Sequence, residues 1–306
     1  MAEPSAVVET TTAWPVILFY KYVAIAEPEK FAAEQRAFCD SLGLKGRVLI
    51  AWEGINGTLA GPARAISAYT AELGADARFA DVVFKFSAGD ANTFPRLAVK
   101  ARREIVTLGV DGIVPDPTNQ LSPNEWKRML ENDPEVVLLD VRNRFESEAG
   151  CFAGAVVCEI ENFRELPAYV DQLAPLKSKK VLMYCTGGIR CEKAAALLRA
   201  RGFENVFQLH GGIVSYQEEF GNEHWQGECF VFDQRMTVRV EDGLVQLGRC
   251  AHTNRPTSRF VNCLHDPCHK LFILSEEAER ENKDYLLCPD CLTNGLTFET
   301  AEYPKS

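Results

Sequence analysis

The chain has 306 residues, room for two or three domains. Its 46% hydrophobic and 25% charged composition is that of a folded globular protein rather than a disordered or fibrous one. A net charge of −10 argues against indiscriminate adhesion to nucleic acid, but screening over about 8 Å leaves room for a local basic face.

No apolar run approaches the roughly 20 residues that cross a bilayer, and the opening Met-Ala-Glu-Pro-Ser lacks the basic-then-apolar order of a leader. A cytoplasmic protein with no membrane partner is expected. Eleven cysteines, an odd number, fit reduced thiols plus a metal site better than a disulfide framework.

Residues 1–13 read as a frayed lead-in. Val16 to Tyr20 is a buried strand by length, and Glu27-Pro-Glu opens a helix running to about Leu42. Arg47 to Trp52 is a second strand, turned by Glu53-Gly-Ile-Asn-Gly57 into a third at Thr58–Gly61, since Asn-Gly between apolar runs signals a hairpin. A helix over Pro62–Gly74 and a strand over Val82–Phe86 complete a βαββαβ order, the ferredoxin-like split unit. Residues 94–108 add an outlying strand carrying Arg96, Lys100, Arg102 and Arg103, which Arg47 and Lys85 extend if they lie beside it. Such a stripe either contacts phosphates or guards an exposed sheet edge with charge.

Pro115-Asp-Pro117 reads as a linker, so the first domain is placed at residues 14–114 and a second at 118–224. In the second, Ser122-Pro-Asn-Glu125 is a capping box opening a helix, Val136–Arg142 is a strand ending in charge, and Phe163–Leu173 suits a helix. Strands at Val181–Tyr184 and Val206–Leu209 flank a helix, and Ile213–Phe220 forms another beyond a turn at His210-Gly-Gly212. Alternating strands and helices imply a parallel sheet with active residues at the carboxyl ends of the strands. Asp140 and Cys185 both fall there.

Cys185-Thr186-Gly187-Gly188-Ile189-Arg190-Cys191 is the chemical centre. A loop of backbone N–H groups, a helix N-terminus and the Arg190 guanidinium together favour a thiolate, the nucleophilic form of cysteine. Cys185 is expected at the rim of a pocket, with Cys191 as a second thiol one residue past the loop. Cys-x4-Arg is one residue shorter than the Cys-x5-Arg cradle of cysteine phosphatases, and resembles the rhodanese superfamily. Asp140-Val-Arg142-Asn-Arg144-Phe-Glu146 resembles the same superfamily. A buried Asp140 with Arg142 or Arg144 near it forms either an ion pair that orients the loop or part of the substrate grip.

From residue 225 to 306 the chain becomes a cysteine-rich tail. Cys263-x4-Cys268 and Cys288-x2-Cys291 have the spacing of a structural zinc module, with Cys250 or His252 as possible substitutes. So short a tail struggles to build a core without metal.

Four segments extend the resemblance over about residues 15 to 292: Gly46-Arg-Val-Leu-Ile-Ala-x-Glu53-Gly-Ile-Asn-Gly57-Thr, Phe94-Pro-x-Leu97-x-Val-Lys100-x-Arg102-x-Glu104-Ile-Val, Asp140-Val-Arg-Asn143 and Cys185-Thr-Gly-Gly-Ile-Arg-Cys191-Glu-Lys193-Ala. The chain resembles the tRNA uridine(34) hydroxylase family. The resemblance implies a ferredoxin-like α+β domain, a rhodanese-like parallel-sheet α/β domain and a small Cys-rich tail. It further implies conversion of the wobble uridine to 5-hydroxyuridine, with molecular oxygen as substrate and the tRNA anticodon region as partner. Cys185 matches the family's essential cysteine. The sequence carries no flavin, nicotinamide or iron motif. Related sequences often have Cys-x2-Cys where this chain reads Cys250-Ala-His-Thr253, which bears on the ligand set. The bare loop equally suits a sulfurtransferase carrying a persulfide on Cys185, and a non-catalytic binding scaffold is the third reading.

Overall fold

A computed structural model describes residues 13–241 and 245–303, so the expected lead-in, save its last residue, lies outside the described residues. Two compact units divide between Gly109 and Val110.

In the first unit, β1 (Pro15–Tyr22), α1 (Pro28–Ser41), β2 (Lys45–Ala51), β3 (Gly54–Ala60), α2 (Ala63–Ala75) and β4 (Lys85–Ala88) follow the expected order. The outlying strand is β5 (Leu97–Ala101). The sheet runs β4-β1-β3-β2-β5, with β5 parallel to β2 and the other pairs antiparallel. Period-2 alternation turns Ile17, Phe19, Val48, Ile50, Ile55 and Leu59 toward the helices, where Phe31, Tyr69 and Leu73 complete the core.

Two expectations are corrected here. Asn56-Gly57 does not turn the β2–β3 hairpin; Ala51 pairs with Gly54, so the turn is Trp52-Glu53. β3 is an interior strand, and a Cβ on Gly57 would lie 2.4 Å from the Phe19 ring, so the glycine makes room for packing rather than reversing the chain. The fourth strand starts at Lys85 rather than Val82, because Val82 closes a turn by donating its N–H to the Phe79 carbonyl at 2.9 Å.

The second unit begins with β6 (Gln120–Leu121), α3 (Pro123–Asn132), β7 (Val136–Asp140), α4 (Arg144–Ala149), β8 (Gly150–Phe152) and β9 (Val156–Val157). After α5 (Leu166–Tyr169) come β10 (Lys180–Tyr184), α6 (Ile189–Ala200), β11 (Asn205–Leu209) and α7 (Gly212–Phe220). The sheet order is β6-β11-β10-β7-β9, every pair parallel. Val181, Leu182, Met183 and Tyr184 have no exposure, as a central parallel strand covered on both faces requires. The capping box forms: the Ser122 hydroxyl accepts the Glu125 N–H at 3.3 Å, and the Ser122 N–H donates to the Glu125 carboxylate at 2.9 Å.

The helix expected over Phe163–Leu173 is broken into a 3₁₀ turn, the short α5 and a second 3₁₀ stretch, Val170–Leu176. Pro167 and Pro175 lack the N–H that a continuous helix needs from its interior.

The cysteine-rich region continues the same unit. β12 (Trp225–Gly227) pairs with β8, β13 (Cys229–Phe230) with β14 (Thr237–Val238), and β15 (Phe260–Asn262) with β16 (Leu271–Ile273). Two helices follow, α8 (Glu276–Glu281) and α9 (Pro289–Thr293), around a small core of Phe272, Leu274, Leu287 and cysteines.

Candidate active site

β10 ends at Tyr184, level with Asp140 at the end of β7, so Cys185 emerges at the carboxyl edge of the sheet. The chain then turns through Thr186 and Gly187 to Gly188, whose φ of 102° suits a residue without a Cβ, and α6 begins at Ile189. The Gly188 N–H points at the Cys185 sulfur, N to Sγ 3.2 Å. The loop is locked from the far side by the start of α7. Ile213 and Val214 donate their N–H groups to the carbonyls of Cys185 and Thr186 at 3.0 and 3.1 Å. Gly212 approaches so closely that a Cβ there would lie 2.5 Å from the Cys185 carbonyl oxygen.

The surroundings of the sulfur favour its ionised form. Burial opposes ionisation of Cys185. The Cys191 thiol, the Arg190 charge and the N–H groups of Arg190 and Gly188 outweigh it, and the pKa falls to about 5. Burial and the bond to Cys185 push Cys191 the other way, well above an ordinary thiol. The two sulfurs therefore hold one proton between them, on Cys191.

Arg190 is itself held. Its guanidinium forms a double contact with the Glu146 carboxylate, Nη2 to Oε1 2.8 Å, and the Thr186 hydroxyl donates to the same oxygen at 3.2 Å. Burial works against the Arg190 charge, but Glu146 more than offsets it and the pKa is raised. Beneath the loop, Arg142 grips Asp140 through Nε at 2.9 Å and Nη2 at 2.6 Å, and Tyr184 and Ser147 donate to Asp140 at 2.9 and 2.8 Å. Arg142 also donates to the Gly150 carbonyl at 2.7 Å. This fully buried network ties β7, β8 and β10 together and favours the orienting role over a substrate grip.

Three residues of the site escape a reading of the sequence. Glu146 stood in the Asp-x-Arg-x-x-x-Glu segment without a role. Gly212 stood in a Gly-Gly pair read only as a turn. Phe232, with no signal at all, places its ring 5.8 Å from the Arg190 guanidinium and leaves it 56% exposed. The expected open rim is also corrected: Cys185 has 0% exposure, because the α7 backbone and the Arg190–Glu146 pair pack around the loop.

Residues 14–105 match the UPF0176 acylphosphatase like domain, residues 122–219 the rhodanese-like domain and residues 226–292 the rhodanase C-terminal family. The tRNA uridine(34) hydroxylase of Bacillus licheniformis is 42% identical over 299 residues, 95% of this chain and 89% of that one. The protein of the same name from Listeria monocytogenes is 42% identical over 276 residues, 88% and 86% of the two chains. The chain belongs to the tRNA uridine(34) hydroxylase family. Among solved structures, the rhodanese-like domain of an Anabaena protein is similar over 36% of this chain and 79% of that one, at 30% identity and a TM-score of 0.31.

In this member of the tRNA uridine(34) hydroxylase family, the sulfurs of Cys263, Cys268, Cys288 and Cys291 gather within 4.8 Å of one another. Cys263 to Cys291 is 3.7 Å and Cys268 to Cys288 is 3.6 Å. A tetrahedron with zinc–sulfur arms of about 2.3 Å has edges of about 3.8 Å, so the four sulfurs fit a metal ion. The Cys288 N–H donates to the Cys263 sulfur at 3.3 Å, the kind of outer contact that orients a ligand. Neither proposed substitute joins the cluster. Cys250 lies outside it, and His252 turns Nε2 to the Leu287 carbonyl at 2.9 Å while stacking on Tyr285.

The basic residues divide. Arg96, Lys100, Arg102 and Arg103 are exposed. Leu97, Val99 and Ala101 pack into the helix-side core, so Lys100 projects from the opposite face. Arg47 sits opposite Ala98 in register, and burial plus the charge of Arg102 lower its pKa. Lys85 does not extend the stripe: it is buried on β4, with β1, β3 and β2 between it and β5.

Proposed function

We propose that this protein hydroxylates the wobble uridine of tRNA, position 34, to 5-hydroxyuridine in an oxygen-dependent reaction with Cys185 as nucleophile. The observation that carries the reading is a cysteine whose sulfur faces the Gly188 N–H at 3.2 Å beside Arg190, in a chain 42% identical, over 95% of its length, to a tRNA uridine(34) hydroxylase. The thiolate adds to C6 of the uracil ring, which makes C5 electron-rich enough to take oxygen. Anticodon bases suit such a site because unpaired bases are readily splayed from the stack into a pocket.

In this reading the loop N–H groups and Arg190 hold the sulfur's charge, and Asp140 and Arg142 hold the loop. Arg47, Arg96, Lys100, Arg102 and Arg103 meet tRNA phosphates. Cys263, Cys268, Cys288 and Cys291 hold a structural zinc ion that braces the tail. Because the sulfur has no exposure, the uridine reaches it through a movement that uncovers the loop. Nucleoside mass spectrometry of tRNA from cells with and without the protein tests the reading: 5-hydroxyuridine at position 34 disappears with the protein and with Cys185→Ser. An added sulfur instead of an added oxygen would replace the hydroxylase by a sulfurtransferase.

A further inference from the structure

Cys191 stabilises the nucleophile without itself attacking the base, and it lies beside the reacting sulfur. It stands in the first turn of α6 with its N–H on the Gly188 carbonyl at 3.0 Å, and its side chain is 1% exposed. Its thiol reaches back to the end of β10, where the Met183 carbonyl is 3.9 Å away and the Cys185 sulfur is its hydrogen-bond partner. A thiol hydrogen-bonded to a thiolate, with both sulfurs shielded from water, is the arrangement from which a disulfide forms once either sulfur is oxidised.

We infer that Cys185 and Cys191 are a two-electron couple that supplies the reducing equivalents of the hydroxylation. This rests on the hydroxylase reading, since one oxygen molecule delivers one atom to C5 and the other must leave as water, which consumes two electrons and two protons. The pair holds the two electrons and one of the protons, on Cys191, and solvent supplies the other. After Cys185 adds to C6, C5 takes up oxygen and a proton to give a hydroperoxide. Cys191 attacks its outer oxygen, the O–O bond breaks, and the products are a C5 hydroxyl and a sulfenic acid on Cys191. Loss of the C5 proton and of Cys185 from C6 restores the ring double bond. The freed Cys185 thiolate then attacks the Cys191 sulfur, forming the disulfide and releasing hydroxide, which takes that proton to become water. In sum, one uridine, one oxygen molecule and two thiols give one 5-hydroxyuridine, one water and one disulfide. An external dithiol restores the pair.

The test is a single turnover. Reduced full-length protein, freed of reductant without air, is mixed with uridine-34 tRNA in aerated buffer, and product and alkylated peptides are quantified by mass spectrometry. One 5-hydroxyuridine per protein with one Cys185–Cys191 disulfide is expected, and dithiothreitol makes the reaction continue. Cys191→Ser should cut the reductant-free yield at least about tenfold. Product formed while both thiols remain alkylatable overturns the couple and leaves the hydroxylase reading intact, whether or not the variant folds. No product even with dithiothreitol overturns the hydroxylase reading, and the electron donation with it.

Discussion

Arg190 and Glu146 face one another inside the protein as an ion pair in which the guanidinium donates two hydrogen bonds to the carboxylate, their side chains 8% and 0% exposed. The pair joins α6, which carries the loop, to α4, which begins just past the carboxyl end of β7. Losing one partner strands a buried charge, which typically costs about 3–5 kcal/mol. Glu146→Ala should therefore lower the urea unfolding free energy by about that amount. Removing both partners should cost less than the sum of the single losses, because no charge is then stranded. Additive losses in the double-mutant cycle would show that the pair does not couple.

The sulfur's titration gives a second prediction. Thiolate absorbance of the protein, less that of Cys185→Ser, should rise with a midpoint near pH 5, against about 8.5 for an ordinary thiol. A depressed pKa contributes stability that is complete above the unfolded value and lost as pH falls through the folded one. The stability advantage of wild type over Cys185→Ser should accordingly grow as pH rises from about 5 toward about 8.5. Cys191→Ala removes the hydrogen bond that most lowers the Cys185 pKa, so the midpoint should move up. Alkylation should nonetheless be slow in the free protein, since the thiolate has no exposure, and tRNA should accelerate it.

Much of this was readable from local pattern. The Cys185 loop, the strand before it and the helix after it follow from an apolar run, two glycines and an alanine-rich stretch. The ferredoxin-like order follows from alternation and length. What escaped depends on neighbours remote in sequence. Gly57 looks like a turn until Phe19 is seen opposite it. Glu146 finds its role only when α4 and α6 meet, and Phe232 only when its ring comes near Arg190. Enclosure of the sulfur depends on α7 docking on the loop, which periodicity does not encode.

The four-sulfur cluster sets a ligand assignment that metal analysis can check. Purified protein should hold one zinc ion per chain. Cys288→Ser or Cys263→Ser should release it and expose the tail to protease, since the small core around Leu274 and Leu287 is built about these cysteines. Cys250→Ser and His252→Ala should leave the zinc content unchanged. Zinc lost from either of the last two would move the ligand set to the turn at 250–253.

The basic stripe predicts a salt signature. Each phosphate contact to duplex nucleic acid adds about 0.9 to the slope of log K against log salt, and to single strands about 0.7. Lys100→Ala combined with Arg102→Ala should weaken tRNA binding and flatten the slope by roughly 1.4–1.8. Arg47→Ala should act in the same direction, because Arg47 and Arg102 crowd two positive charges together and an anion between them relieves the repulsion. Lys85 is the internal control: buried on the far edge strand, it should leave the slope unchanged when replaced by Met. A slope that responds to Lys85 but not to the Lys100–Arg102 pair would put the RNA on the other edge of the sheet.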